Sequence, residues 1–123
     1  MQKDYIKLEG LDIYKMSVEL GRKAWKIYEK MNWQEKKIMG DQFIRAVDSV
    51  GANIAEGYGR FHYLDRIKFY YNARGSLFEA KYWLLLLEDR KKIKKETYQN
   101  FLKDLEELHK QLNVFIKSCR PKQ

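Results

Sequence analysis

The stretch that decides the fold runs Met39-Gly40-Asp41-Gln42-Phe43-Ile44-Arg45-Ala46-Val47-Asp48-Ser49-Val50-Gly51-Ala52-Asn53-Ile54-Ala55-Glu56 and ends in Gly57-Tyr58-Gly59. Met39, Phe43, Ala46, Val47, Val50 and Ile54 recur at spacings of three and four, which lays them along one face of an α-helix. Just upstream, Asn32-Trp33-Gln34-Glu35 reads as a capping box: Asn32 can accept from an orphan amide while Glu35 reaches back. A helix is therefore predicted over 34–56. Gly57-Tyr58-Gly59 is expected to stop it, because glycine tolerates the left-handed conformation found just past many helix ends.

Three further stripes flank this one. Leu11, Tyr14, Val18, Trp25 and Tyr28, widened by Met16, Leu20, Ala24 and Ile27, predict a helix over 11–31. Phe69, Ala73, Leu77, Ala80, Leu84 and Leu87 are the inward candidates of a helix over 64–90. Tyr98, Phe101, Leu105, Leu108, Leu112 and Phe115 mark one over 96–118, with Pro121 just beyond. No strand-like alternation is present. Helices of ~20 residues span ~30 Å, and short turns between them favour an antiparallel arrangement. The fold class is all-α: an antiparallel, up-down-up-down four-helix bundle forming a single domain over 1–123.

Composition agrees. A chain of 123 residues suits one domain with a core that needs no staples. Seven glycines and one proline are too few for a turn-rich β-sandwich. The lone Cys119 cannot form an internal disulfide, and Met1-Gln2-Lys3-Asp4-Tyr5 has no apolar signal region, so a reducing, cytoplasmic setting is expected. The longest apolar run, Tyr82 to Leu87, is far below the ~20 residues needed to span a bilayer, so no membrane role is expected.

The net charge of +8 is unevenly placed. Residues 91–123 hold 9 basic and 4 acidic side chains, so more than half of the excess lies in the last quarter of the chain. In the bundle, one end collects Lys26, Lys30, Lys36, Lys37, Arg90, Lys91, Lys92, Lys94 and Lys95, diluted by Glu29, Glu35, Glu88, Asp89 and Glu96. Lys36, Lys37, Arg90, Lys91, Lys92, Lys94 and Lys95 are the candidate nucleic-acid contacts, since clustered cations favour polyanions. The competing reading is a solvated loop whose cations complement helix C-termini. At the other end, Tyr58, Phe61 and Tyr63 around Arg60 either cap the bundle or stack on unpaired bases.

Helix 34–56 carries a second, polar stripe of Gln42, Arg45, Ser49, Asn53, Glu56 and Arg60, near Gly51, Ala52 and Ala55. Helix 64–90 offers Asn72, Gly75, Ser76 and Glu79, with Arg74 adjacent. Small residues allow close helix approach and polar groups fix register, which suits a tight internal contact or a subunit interface. Intrahelical pairs such as Glu56–Arg60 are the plainer alternative. The catalytic inventory is thin. His62 and His109 have no second ligand at metal spacing, Glu106–His109 is a single pair, and Cys119 lacks an activating partner. No catalytic residue, metal or cofactor is expected.

Asn53-Ile54-Ala55-Glu56-Gly57, then Arg60, Phe69, Ala73, Arg74-Gly75-Ser76 and Glu79, with Gln42, Arg45 and Ser49 upstream, resemble the four-helix-bundle proteins encoded by intervening sequences of bacterial large-subunit ribosomal RNA genes. The similarity covers nearly the whole chain. The resemblance implies a homo-oligomer, a ring-like pentamer. It also implies distant kinship with the accessory variability proteins of diversity-generating retroelements, which bind nucleic acid and a reverse transcriptase. The lysine-rich turn at 91–95 departs from the family pattern. The expectation is a non-enzymatic, oligomeric, nucleic-acid-associated accessory protein, RNA ahead of DNA. The alternatives are a structural or partner-docking oligomer with no nucleic-acid contact, and an enzyme with an interfacial site around Glu56, Arg60, Arg74 and Glu79.

Overall fold

The computed structural model describes residues 6–120. After one 3-10 turn at Leu8–Gly10 come helices α1 (Asp12–Glu29), α2 (Trp33–Glu35), α3 (Asp41–Tyr58), α4 (Tyr63–Asp89) and α5 (Lys95–Ser118). A π-helical turn, Lys36–Gly40, runs α2 into α3, so the bundle has four rods. α1 and α4 each pack on both α3 and α5, which sets them across the core from one another. The rods alternate in direction. Tyr28 at the end of α1 donates to Asp41 at the start of α3 (2.7 Å), and Phe43 meets Phe101 near the starts of α3 and α5 (ring centroids 5.4 Å apart). Tyr70, early in α4, meets Phe115, late in α5, at 5.1 Å.

The predicted stripe of α3 is the buried one throughout: Met39, Phe43, Ala46, Val47, Val50 and Ile54 are all in the core. The capping box forms as read, with the Glu35 amide donating to Asn32 Oδ1 (2.8 Å) and the Asn32 amide to Glu35 Oε1 (2.9 Å). On α1 the predicted Leu11, Leu20 and Ala24 are buried, but the first turns are corrected by one residue. The buried side chains are Ile13, Ser17, Leu20 and Ala24, while Tyr14 and Val18 sit at the rim and Trp25 is half exposed. The crossing with α3 is too close for bulk: a Cβ on Gly51 would lie 2.8 Å from Ser17 Oγ. Ser17 is buried at little cost because its hydroxyl donates to the Tyr14 carbonyl (2.7 Å).

Other expectations are corrected as well. In α4 the first core residue is Tyr70 rather than Phe69, and in α5 Ile116 is more deeply placed than Phe115. Gly57-Tyr58-Gly59 is no left-handed stop. No glycine among the described residues has positive φ, and Gly57 lies inside the helix, where a Cβ would come within 2.7 Å of Tyr70 Cε1. Its role is close approach of α3 to α4. Of the aromatics around Arg60, Phe61 is 89% exposed and takes no part in a cap, whereas Tyr58 packs against the core. Of the basic tail, Lys122 lies outside the described residues, as does Pro121.

The left-handed residue is instead Lys91, with φ 60°, just past the end of α4. Its amide donates to the Glu88 carbonyl (2.9 Å) and that of Lys92 to the Leu87 carbonyl (2.8 Å), so the turn that closes α4 requires this conformation. A side chain there is strained by ~1–2 kcal/mol. Lys91→Gly is therefore expected to stabilise the protein by about 0.5–1 kcal/mol after glycine's extra unfolded-state freedom is deducted, read as a higher urea midpoint. The core holds one further strained group. Tyr70 is wholly buried, and its hydroxyl has no hydrogen-bond partner among the described residues. Burial, reinforced by Cys119, pushes the phenol pKa up to about 12. Tyr70→Phe should leave thermal stability unchanged or raise it by up to ~1 kcal/mol, where a bonded buried tyrosine would lose about that much.

Candidate nucleic-acid interface

The last two turns of α1 and the residue that caps them set Lys23, Lys26 and Lys30 at spacings of three and four, hence along one side of the helix. Against this side lie the α4–α5 connection and the first turns of α5. Together they enclose a groove of about 510 Å³ whose apolar members are Ile27, Ile93 and Phe101 and whose other members are Thr97, Asn100 and the lysines 23, 26, 30, 92 and 94. No residue lining it is acidic.

Two of the five lysines are committed. Lys23 pairs with Asp104, and Lys92 Nζ lies 2.9 Å from Glu35 Oε2. Glu35 thereby does two jobs: it caps α2 and ties the α4–α5 connection to the start of the neighbouring rod. The Asn32 amide, and after it the Lys92 ammonium, hold its carboxyl below the usual carboxylate range. Among the described residues Lys26, Lys30 and Lys94 have no carboxylate within ion-pair distance. These three are the charges free to meet a phosphate.

Of the cations singled out in the sequence, the structure brings Lys92 and Lys94 into this groove. Arg90, Lys91 and Lys95 stand exposed at the same end of the bundle. Lys36 and Lys37 are placed differently. The Lys36 ammonium lies 4.9 Å from the Tyr28 ring centroid and that of Lys37 4.9 Å from the Trp33 centroid, where ring faces attract them. Trp33 is 73% exposed beneath its lysine. Lys23 was missed, although the Lys23-Lys26-Lys30 spacing was visible; its pairing with Asp104, 81 residues on, was not.

The polar motif of α3 and α4 resolves into internal contacts. Ser76 donates to Ser49 Oγ (2.9 Å), and the Asn53 amide donates to the Ser49 carbonyl (2.8 Å) and hydroxyl (3.0 Å). This seam fixes the register of α3 on α4. Arg60 pairs with Glu56 (2.6 Å) and lies over the Phe69 ring. Arg74 donates to Asn113 Oδ1 (3.0 Å), and Trp83 Nε1 donates to Glu79 (3.3 Å). Glu56, Arg60, Arg74 and Glu79 are thus each held by a different neighbour. Gln42 is half-buried, Arg45 is exposed, and Gly75 faces open space.

Among the described residues no group of His, Cys, Asp and Glu is arranged to hold a metal, and no helix is long and apolar enough to cross a membrane. Burial pushes the Cys119 thiol up, away from the reactive thiolate form.

The fold and the groove define a small basic four-helix bundle with a lysine-lined cleft at one end. The chain belongs to the family described as 23S rRNA-intervening sequence protein, whose model it matches over residues 9–114. It is also similar to a crystal structure, at 1.70 Å, of a protein of unknown function from the S23 ribosomal protein family of Bacteroides thetaiotaomicron. The two are 30% identical with a TM-score of 0.80, and the match covers 85% of this chain and 98% of the other. No curated protein matches the chain.

Proposed function

We propose that this protein is a non-enzymatic, homo-oligomeric accessory protein of the cytoplasm that associates with nucleic acid, RNA ahead of DNA, through the lysine groove between α1 and α5. The observation that carries the reading is the groove's charge: five lysines, no lining carboxylate, and three ammonium groups without an ion-pair partner among the described residues. Phosphate contacts of this kind give affinity and orientation without sequence information. Thr97 and Asn100 add groups able to bond sugar or base edges, and the exposed Trp33 ring beside Lys37 offers a stacking surface at the same end. The preference for RNA rests on the family's description as a 23S rRNA-intervening sequence protein.

The test is a titration of structured RNA, single-stranded RNA and duplex DNA across a salt series. Association that weakens linearly in log–log terms, with RNA bound more tightly than DNA, is expected. Absence of binding to all three at low salt would remove the proposal and leave the partner-docking reading.

A further inference from the structure

Trp25, Tyr28 and Trp33 stand at the basic end of the bundle, and the first two are committed to the fold. Tyr28 donates its hydroxyl to Asp41 (2.7 Å), and the π-helical turn presses on its ring: a Cβ on Gly40 would lie 2.9 Å from Tyr28 Cδ1. Trp25 stacks on that ring, with centroids 5.1 Å apart and 28° between the planes, and the Lys36 ammonium lies 4.9 Å from its centroid. Trp33 is placed differently. It holds the first position of α2, where the capping box is made by Asn32 and Glu35 and asks nothing of the side chain between them. Its ring is 73% exposed and carries the Lys37 ammonium 4.9 Å from the centroid. The ammonium covers one face, and at that exposure the other face is open.

The ring also stands close to the lysine groove. Lys30, which lines the groove and caps α1, precedes Trp33 by three residues, so their Cα atoms are at most about 11 Å apart. Glu35, two residues beyond Trp33, is held by Lys92 of the same groove. Lys30, Lys36 and Lys37 have no carboxylate within ion-pair distance among the described residues. Glu29, Glu88, Asp89 and Glu96 dilute the charge of this end, but none of them lines the groove. A polyanion held on Lys26, Lys30 and Lys94 therefore passes the indole, and its form decides what it presents there. A duplex keeps its bases stacked on one another and offers phosphate and sugar. A single strand or a loop offers free bases, and every base has a face that can lie on an indole.

We infer that Trp33 stacks on an unpaired base of a strand held in the lysine groove, so that the ligand is single-stranded or looped nucleic acid rather than duplex. This rests on the nucleic-acid reading above and specifies its substrate class. The lysines supply attraction that any polyanion shares, and the indole supplies the discrimination between unpaired and paired nucleotides. Lys37 braces the opposite face of the ring, so less side-chain freedom is lost when a base arrives. The contact takes the face of a base and not its edge, which makes it tolerant of sequence.

The probes are an oligouridine of about twelve nucleotides and an RNA duplex of the same length, titrated by anisotropy at matched assembly state. Trp33→Ala should weaken oligouridine binding about tenfold or more and leave duplex binding unchanged. The salt slope for oligouridine should not move, because stacking neutralises no phosphate. Trp33→Phe keeps a ring and should recover most of the loss, whereas Trp33→Leu, with bulk alone, should not. Trp33 is exposed and outside the capping box, so helicity by circular dichroism should be the same in all three. Oligouridine should quench the tryptophan emission of wild type, and the quenching should be lost in Trp33→Phe, which retains Trp25 and Trp83. Phe61→Ala, which removes the exposed ring at the opposite end of the bundle, should bind as wild type does. An equal loss for oligouridine and duplex on Trp33→Ala would make the ring a prop of the basic end and overturn the selection of unpaired bases. Wild-type binding by Trp33→Ala, or an equally large loss on Phe61→Ala, would overturn stacking at Trp33 and leave the lysine groove standing. If wild type binds neither probe at low salt, the groove reading falls and this inference with it.

Discussion

Changing Lys26, Lys30 and Lys94 together to glutamine is expected to weaken RNA binding about a hundredfold at 0.1 M salt and to make the log–log salt slope shallower by about two units. The figures follow from counterion release, which contributes a slope of about −0.7 per phosphate neutralised on a single strand. The triple change targets ammonium groups that have no internal partner among the described residues and whose removal exposes no buried charge. Lys92→Gln alone behaves differently. It releases Glu35 from its ion pair and leaves that carboxylate beside the groove, so it should weaken binding through added repulsion as well as lost attraction. Lys36 and Lys37, held over rings, should contribute less per charge. Anisotropy titrations between 50 and 200 mM salt, at matched assembly state, measure all of this. A triple variant with wild-type affinity and slope would place the binding surface elsewhere.

Alanine at Gly57 and alanine at Gly75 should move stability in opposite directions. Both glycines lie within helices, so each substitution gains ~1 kcal/mol of helix propensity. At Gly75 nothing opposes the gain, and stability should rise by about that amount. At Gly57 the new methyl would lie 2.7 Å from Tyr70 Cε1 and 3.0 Å from Phe69 Cβ, in a fully packed layer. Overpacking of this kind costs ~1–3 kcal/mol, so Gly57→Ala should lose up to about 2 kcal/mol net, and Gly57→Leu about 3 kcal/mol or more. Urea midpoints at one protein concentration decide it. A destabilised Gly75→Ala would mean that the outer face of α4 is already in tight contact in solution. A stabilised Gly57→Ala would mean that α3 and α4 can separate more easily than their packing implies.

What was legible in the sequence followed the purity of each stripe. The stripe of α3 reads correctly because its buried side chains are all apolar, while its end was misread at Gly57, which lies inside the helix. The first turns of α1 read one residue out of phase because its crossing with α3 is built on Ser17, a polar residue satisfied by its own backbone, while the larger Tyr14 and Trp25 drew the stripe outward. α4 is apolar on two sides, yet five of its six inward candidates, Ala73, Leu77, Ala80, Leu84 and Leu87, are wholly buried, and only Phe69 was chosen where Tyr70 belongs. The basic end was visible in the charge count, but the groove was not. Its wall depends on Lys23, Lys26 and Lys30 meeting Lys92 and Lys94 across the bundle. The family was legible from the α3–α4 motif, although Ser49, Asn53 and Ser76 serve the internal seam.

The π-helical turn at Lys36–Gly40 is, in helical terms, one residue too many. Each added residue turns a helix by about 100°, so everything before the bulge is rotated by that angle relative to the core face of α3. Two functions are thereby uncoupled in a single rod. The segment from Asp41 onward keeps the phase the core demands, with Phe43 and Val47 inward. The segment before it sets Glu35 toward Lys92 and turns Trp33 outward. The extra residue acts as a phase shifter, and it predicts where relatives of this chain can differ in length without a loop to absorb the change: by one position, inside a helix, between residues 36 and 40.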